Sequence, residues 1–378
     1  MPACIPFGGA SQRLHRKPEI AVVALGLLLS GHAAAAVHCV ANADELSAAL
    51  LAAQQSSGSD EIRVRAGHYV APAGGWRMDA QQRGVTISGG FMDAGCQTQS
   101  LDASLTVLDG QHSARPLTID TSFAGQQTTT SIVVSGLTIE NGAGDNVGGL
   151  KISDSGPIYS GHILVERNIF LDNTASVYQQ DNSAGALLAA TDGSTPDAVY
   201  LIVRDNLFAG NRAHDGAAAM LFSNNAIDVT NNTVSGNQSF DTTLATRTTI
   251  STFTFGQITY SNNVFWDNNP DALAATYDLR ADNPFRADLD ADLFNNDLQA
   301  VLGTPGVQAG NLAVDPRFTD AAGGNFRLAP DSPLRDAGTD TPLDGLGVAD
   351  LDGMARVLGT HVDIGAYELD GIFRDGFE

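Results

Sequence analysis

"HILVERNIFLDN", residues 162–173, is the stretch that decides the fold. Ile163 and Val165 stand two apart between His162 and Glu166, the period-two pattern of a strand with one buried face that the aligned repeats share. Asn168 and Asn173 punctuate the run. Three later segments superimpose on it without gaps: "YLIVRDNLFAGN" (200–211), "AIDVTNNTVSGN" (226–237) and "QITYSNNVFWDN" (257–268). A fifth, "TSIVVSGLTIEN" (130–141), fits with Gly136 in place of the first asparagine and its apolar residue displaced by one. The closing asparagines are 32, 38, 26 and 31 residues apart. Such unequal intervals suit a solenoid of stacked coils whose strands stay in register while their loops vary.

Working outward, the alternation assigns faces. Ile163, Leu201, Ile227 and Ile258 form one inward column, and Val165, Val203, Val229 and Tyr260 the next. Phe170, Phe208, Val234 and Phe265 form a third beyond the corner. Asn168, Asn206, Asn232 and Asn263 should stack as a ladder of amides bonded from coil to coil. Outward columns follow by parity: Glu166, Arg204, Thr230 and Ser261, then Leu164, Ile202, Asp228 and Thr259, then His162 and Tyr200. Glycine-led runs from Gly148, Gly185 and Gly216 read as a second strand in each coil. Before the repeats, Asn42 and Glu45 have capping-box spacing, with Leu46, Ala49, Leu50 and Ala53 on one helical face. Residues 278–299 are acidic and weakly helical, and read as a loop or short helix packed on the solenoid.

The first residues read as an address rather than as structure. Arg13, Arg16 and Lys17 precede an apolar run from Ile20 to Leu29 and a small-residue stretch from Ala33 to Ala36, the pattern of a secretory signal peptide over 1–36. The apolar run is too short for a membrane span. The whole chain carries a formal charge of −23, and loss of residues 1–36 takes it to about −25. Lys151 is then the one remaining lysine, so nucleic acid is excluded as a partner. Cys39 and Cys96 remain after processing, and an even count in an oxidising compartment favours a disulfide over two buried thiols.

Four C-terminal stretches carry a family resemblance: "NLAVDPRF" from Asn311, "FRLAPDSPLRDAG" from Phe326, "DLDGMAR" from Asp350 and "VDIGAYEL" from Val362. In order and spacing they resemble the choice-of-anchor Q domain, over roughly residues 310–369. The resemblance implies an exported β-helix and brings no catalytic residues with it. The expected fold is therefore all-β, a right-handed parallel β-helix of the pectate-lyase-like kind with a short N-terminal capping helix. It should occupy residues 38–369 as one domain, sealed at its far end by the C-terminal segment, with 370–378 as a tail that reads as a sorting or anchoring segment or equally as a disordered end.

Function is less legible. The motifs by which polygalacturonases resemble one another ("NTD", "DD", "GHG", "RIK") are missing, as are "GxVDFIFG" and "DPHD" of two other β-helix enzyme families. The expectation is a secreted or surface protein, outside the cell or in the envelope, that binds polysaccharide or another surface protein without catalysis. A divergent polysaccharide lyase or hydrolase is the alternative, and a structural envelope protein the third reading. Tyr200, Arg204, Glu166 and His162 are the candidate ligand residues, because an apolar and aromatic strip on an outward face marks a ligand surface or a loop-covered one. Arg204, Arg212, His214 and Asp215 are the catalytic candidates for a lyase, which needs a basic side chain and a group to neutralise a carboxylate. Asp336, Asp340, Asp344, Asp350, Asp352, Asp363 and Glu368 invite calcium, with Asp350 and Asp352 nearest an EF-hand pattern whose first position is filled by Val348. A turn closed by an Asp–Arg356 pair is the competing reading. The eight histidines show no metal-ligand spacing.

Overall fold

A computed structural model describes residues 35–81, 83–121, 130–152, 161–176, 183–192, 199–240, 247–268, 276–283, 285–286 and 288–369. The segment up to residue 34, read above as a signal peptide, and the 370–378 tail lie outside these residues. Among the described residues one α-helix, Ala43–Gln55, accompanies long parallel sheets. No helix among the described residues is long and apolar enough to cross a membrane.

Successive coils stack their strands in sequence order. The ten-stranded sheet runs Val37–Val40, Asp60–Arg65, Val85–Phe91, Ser131–Ser135, His162–Glu166, Val199–Arg204, Ala226–Thr230, Ile258–Ser261, Asp292–Phe294 and Gln308–Ala309. A seven-stranded sheet from Gly67–Val70 to Val264–Trp266 and an eight-stranded sheet from Trp76–Asp79 to Val301–Leu302 complete the coils. The glycine-led runs supply three strands of the latter, Leu150–Ile152, Leu187–Thr191 and Ala219–Ser223.

From Ile163, Leu201, Ile227 and Ile258 onward the four gapless repeats keep their alignment. Ile163 pairs with Leu201, Leu201 with Ile227 and Ile227 with Ile258, and the Val165 column runs in the same register to Tyr260. These side chains are buried in one core, which the Phe170, Phe208, Val234 and Phe265 stack shares. Phe170 and Phe208 lie face to face with centroids 4.9 Å apart. Gly136 explains the irregular fifth repeat. Ser135 pairs with Glu166, which aligns Gly136 with Arg167 and puts Leu137 at the ladder position. Gly136 (φ 66°), Arg167, Asp205, Asn231, Asn262 and Asn295 all take left-handed backbone, which turns each coil.

The asparagine ladder is present and longer than the sequence suggested. Asn168, Asn206, Asn232 and Asn263 continue through Asn296 to Asn311, each side-chain oxygen from Asn206 onward accepting from the backbone N–H and the amide of the asparagine one coil earlier. A second ladder joins Asn173, Asn211, Asn237 and Asn268, the asparagines that close the repeats. Each buried amide thereby finds its partners, so burial carries no desolvation penalty.

At the N-terminal end the Asn42 side chain accepts from Glu45 N, and Glu45 reaches back to Ala41 N. Leu46, Ala49, Leu50 and Ala53 close the core there, as their spacing predicts. A strand, Val37–Val40, precedes the helix, which was not expected. Cys39 and Cys96 form the disulfide, tying that first strand to the loop after Val85–Phe91. In the chain-entropy model a loop of this size contributes about 4 kcal/mol.

Two expectations need correction. Among the described residues of 278–299 there is no helix, and besides the loop between them Thr276–Arg280 and Asp292–Phe294 continue the coils, because "DLFNND" repeats the strand-and-asparagine pattern and Asn296 joins the ladder. The C-terminal segment stacks its first residues, Asn311 to Val314, on the last coil and then returns along the coils as a strap. Asn262 bonds Thr339 O, Asn231 bonds Leu346 O, and Leu351, Ala366 and Tyr367 pack on Ala103, Ile169, Leu207 and Ala209. The physical reason lies in the seven-stranded sheet. Inward Phe170 and Phe208 force Ile169 and Leu207 outward, and that apolar stripe requires cover.

Candidate functional site

The outward face of the ten-stranded sheet was the candidate surface, and the strap divides it. Glu166 and Arg204 are neighbours across two coils, with Arg204 Nε and Nη2 donating to Glu166 Oε2 at 3.0 and 2.9 Å. Arg204 Nη1 donates to Asp344 O of the strap at 3.1 Å. His162 stacks on Tyr200 at 4.3 Å. Tyr200 is the extra residue where register shifts between Val199 and Leu201, and it is 6% exposed. Leu164 and Ile202 are half-buried. The four residues are thus brought together, but largely into one another and the strap rather than toward solvent.

Asp228, in the Ile202 column, is fully buried. Burial pushes its carboxyl up to about 7; a hydrogen bond from Thr230 opposes the shift and the Asp344 carboxylate adds to it. A folded-state value above the ordinary 3.8 means that the stability Asp228 contributes is complete below that value and lost as pH rises through about 7. Asp228→Asn should therefore stabilise the protein by roughly 1–3 kcal/mol near pH ~8 and by little near pH ~4, read as the pH dependence of the unfolding midpoint. A gain of equal size at both pH values would contradict this assignment.

Beyond Asp228 the face opens. Gln257, Thr259, Ser261, Asp292, Phe294 and Asn295 floor a groove of about 530 Å³, and Thr339, Thr341, Pro342 and Leu343 of the strap form its wall. Asp292 and Phe294 hold their places by register, opposite Thr259 and Ser261. Asp292 Oδ1 accepts from Val307 N, and Asn295 Nδ2 donates to Ala337 O. Asp292, Phe294 and the strap residues were missed in the sequence. Extending the ladder by one asparagine, to Asn296, would have placed the first two in the outward columns.

The catalytic candidates are split. Arg204 lies on the ten-stranded sheet, whereas Arg212 belongs to a four-stranded one. The Arg212 guanidinium sits 4.9 Å over the Phe240 ring, and His214 meets the same ring edge-on. Asp215 Oδ1 accepts from Ser251 Oγ at 3.4 Å, and the backbone N–H groups of His214 and Asp215 both bond Ser183 Oγ.

The C-terminal carboxylates are turn acceptors. Asp350 Oδ1 accepts from the N–H groups of Asp352 and Met354, and Oδ2 from that of Glu368. Asp352 pairs with Arg327. Asp336 accepts from Thr360 N, Asp340 from Val362 N, and Asp363 from Leu369 N. Arg356 is buried and pairs with Glu368 of the same cluster at 3.2 Å and, from strap to coil, with Asp205 at 3.5 Å. Among the described residues, the group of His, Asp and Glu side chains close enough to share a cation lies elsewhere, at His68, Asp109 and Glu140.

No family model matches the chain, and no curated protein is similar enough to match it.

Proposed function

We propose that this chain is an exported surface or secreted protein that binds glycans without catalysis, in the groove between the ten-stranded sheet and the strap. The observation that carries the reading is the groove's lining. Gln257, Thr259, Asp292 and Asn295 offer amide, hydroxyl and carboxylate groups, beside the half-buried Phe294 and the apolar Pro342 and Leu343. A sugar ring presents hydroxyls at its edge and an apolar C–H face, and such sites combine few placed polar groups with an aromatic platform. The cavity is within the size range of small-ligand sites.

The same proposal takes the coils as right-handed and pectate-lyase-like, since parallel crossover connections are right-handed in about 98% of cases. It takes residues 310–369 as choice-of-anchor Q-like, and the leader as a signal for export.

Retention on a panel of immobilised neutral and uronate-containing polysaccharides tests the binding. Phe294→Ala and Asp292→Asn should each weaken retention about tenfold or more, a loss of roughly 1.4 kcal/mol, with little change in unfolding temperature. Retention that survives both substitutions would rule out this groove. Release of unsaturated uronate products during incubation would overturn the non-catalytic reading.

A further inference from the structure

We infer that His68, Asp109 and Glu140 form a binding site for a divalent transition-metal ion on the outer side of the seven-stranded sheet. The three come from successive coils, in strands Gly67–Val70, Thr106–Asp109 and Thr138–Glu140. Their ligand atoms all lie within 4.8 Å of one another. His68 Nε2 stands 3.3 Å from Asp109 Oδ2 and 3.9 Å from Glu140 Oε1.

Geometry, orientation and charge support the site. Two donors each ~2.1 Å from a common ion stand about 3–3.5 Å apart at tetrahedral to octahedral angles. The His68–Asp109 separation already fits, and Glu140 needs only a side-chain adjustment. Asp109 is held for the purpose: its Oδ1 accepts from Gln111 N at 2.8 Å and from Asn141 Nδ2 at 3.1 Å, which leaves Oδ2 facing His68. Asp109 and Glu140 are register partners, so two carboxylates face each other on adjacent strands, an arrangement that costs stability unless a cation lies between them.

The donor set selects the ion. One imidazole and two carboxylates suit Zn²⁺, Mn²⁺ or Co²⁺, whereas Ca²⁺ takes six to eight oxygens. The His68 side chain is 53% exposed, so water can complete the coordination. The ion would also clip three coils together near the N-terminal end.

Calorimetric titration of the full, disulfide-linked chain with Zn²⁺ at neutral pH tests the site, alongside the visible spectrum on adding Co²⁺. One ion per chain is expected, with affinity reduced at least about tenfold by His68→Ala and by the isosteric Asp109→Asn. Circular dichroism of both variants separates lost ligation from lost fold. No binding by the unaltered chain, or binding that survives His68→Ala unchanged, overturns the assignment.

Discussion

Asn206→Ala is expected to destabilise the fold by about 3–5 kcal/mol, far more than an average polar-to-alanine change. The Asn206 amide donates to Val165 O, Arg204 O and Asn232 Oδ1, and its oxygen accepts from the backbone and side chain of Asn168. The residue is wholly buried. Truncation therefore strands groups on three coils, each costing about 1–3 kcal/mol if water cannot reach it. Asn311→Ala supplies the internal comparison. Asn311 ends the ladder half-buried, so water can replace part of what it bonds, and about 1 kcal/mol is expected. Denaturant unfolding of both variants decides the matter, and equal losses would mean that ladder position carries no energetic weight.

The ladder also shows how much of the molecule was legible in the sequence. Ile163, Val165 and Phe170 recur at fixed offsets from an asparagine, and both the period and the marker are local, so core, outward columns and register were readable. Asn173, Asn211, Asn237 and Asn268 were equally visible, yet their role as a second ladder depends on the short corner that brings them into line. Gly136 showed the limit of gapless alignment: glycine there aligns with Arg167, not with Asn168. The strap was unreadable because residues 310–369 have no period, and its contacts span large separations, as in Asn262 with Thr339 or Arg204 with Asp344. His68, Asp109 and Glu140 escaped for the same reason. They are 41 and 31 residues apart, and only coil stacking makes them neighbours. The groove combines both cases, a floor set by the repeat and a wall set by the strap.

That wall leads to the second large effect. Arg356→Ala is expected to cost about 3–5 kcal/mol at neutral pH and to loosen the strap. Arg356 Nη2 lies 3.2 Å from Glu368 Oε1 and donates to Gly365 O, while Nε lies 3.5 Å from Asp205 Oδ1 at the turn of a coil. All three side chains are buried. Burial raises Asp205 to about 7 and Glu368 to about 9, and Arg356 is the strongest influence pulling each of them down. Without the guanidinium, both carboxyls rise further and are held protonated at the expense of stability. Groups raised in the folded state contribute fully below their ordinary values and lose that contribution as pH rises through the folded ones. The loss on Arg356→Ala should therefore be larger near pH ~8 than near pH ~5, whereas an exposed ion pair, its carboxylate ionised at both values, would show a loss flat between them. Because residues 339–343 wall the groove and belong to the same segment, limited proteolysis should cut this variant first within 310–369, and glycan retention should fall with it. A loss that is flat with pH, or unfolding with no earlier cleavage of the strap, would show that the Leu351, Ala366 and Tyr367 packing holds the segment without Arg356. The groove would then depend on apolar cover alone, and its wall would stay in place when the buried charges are removed.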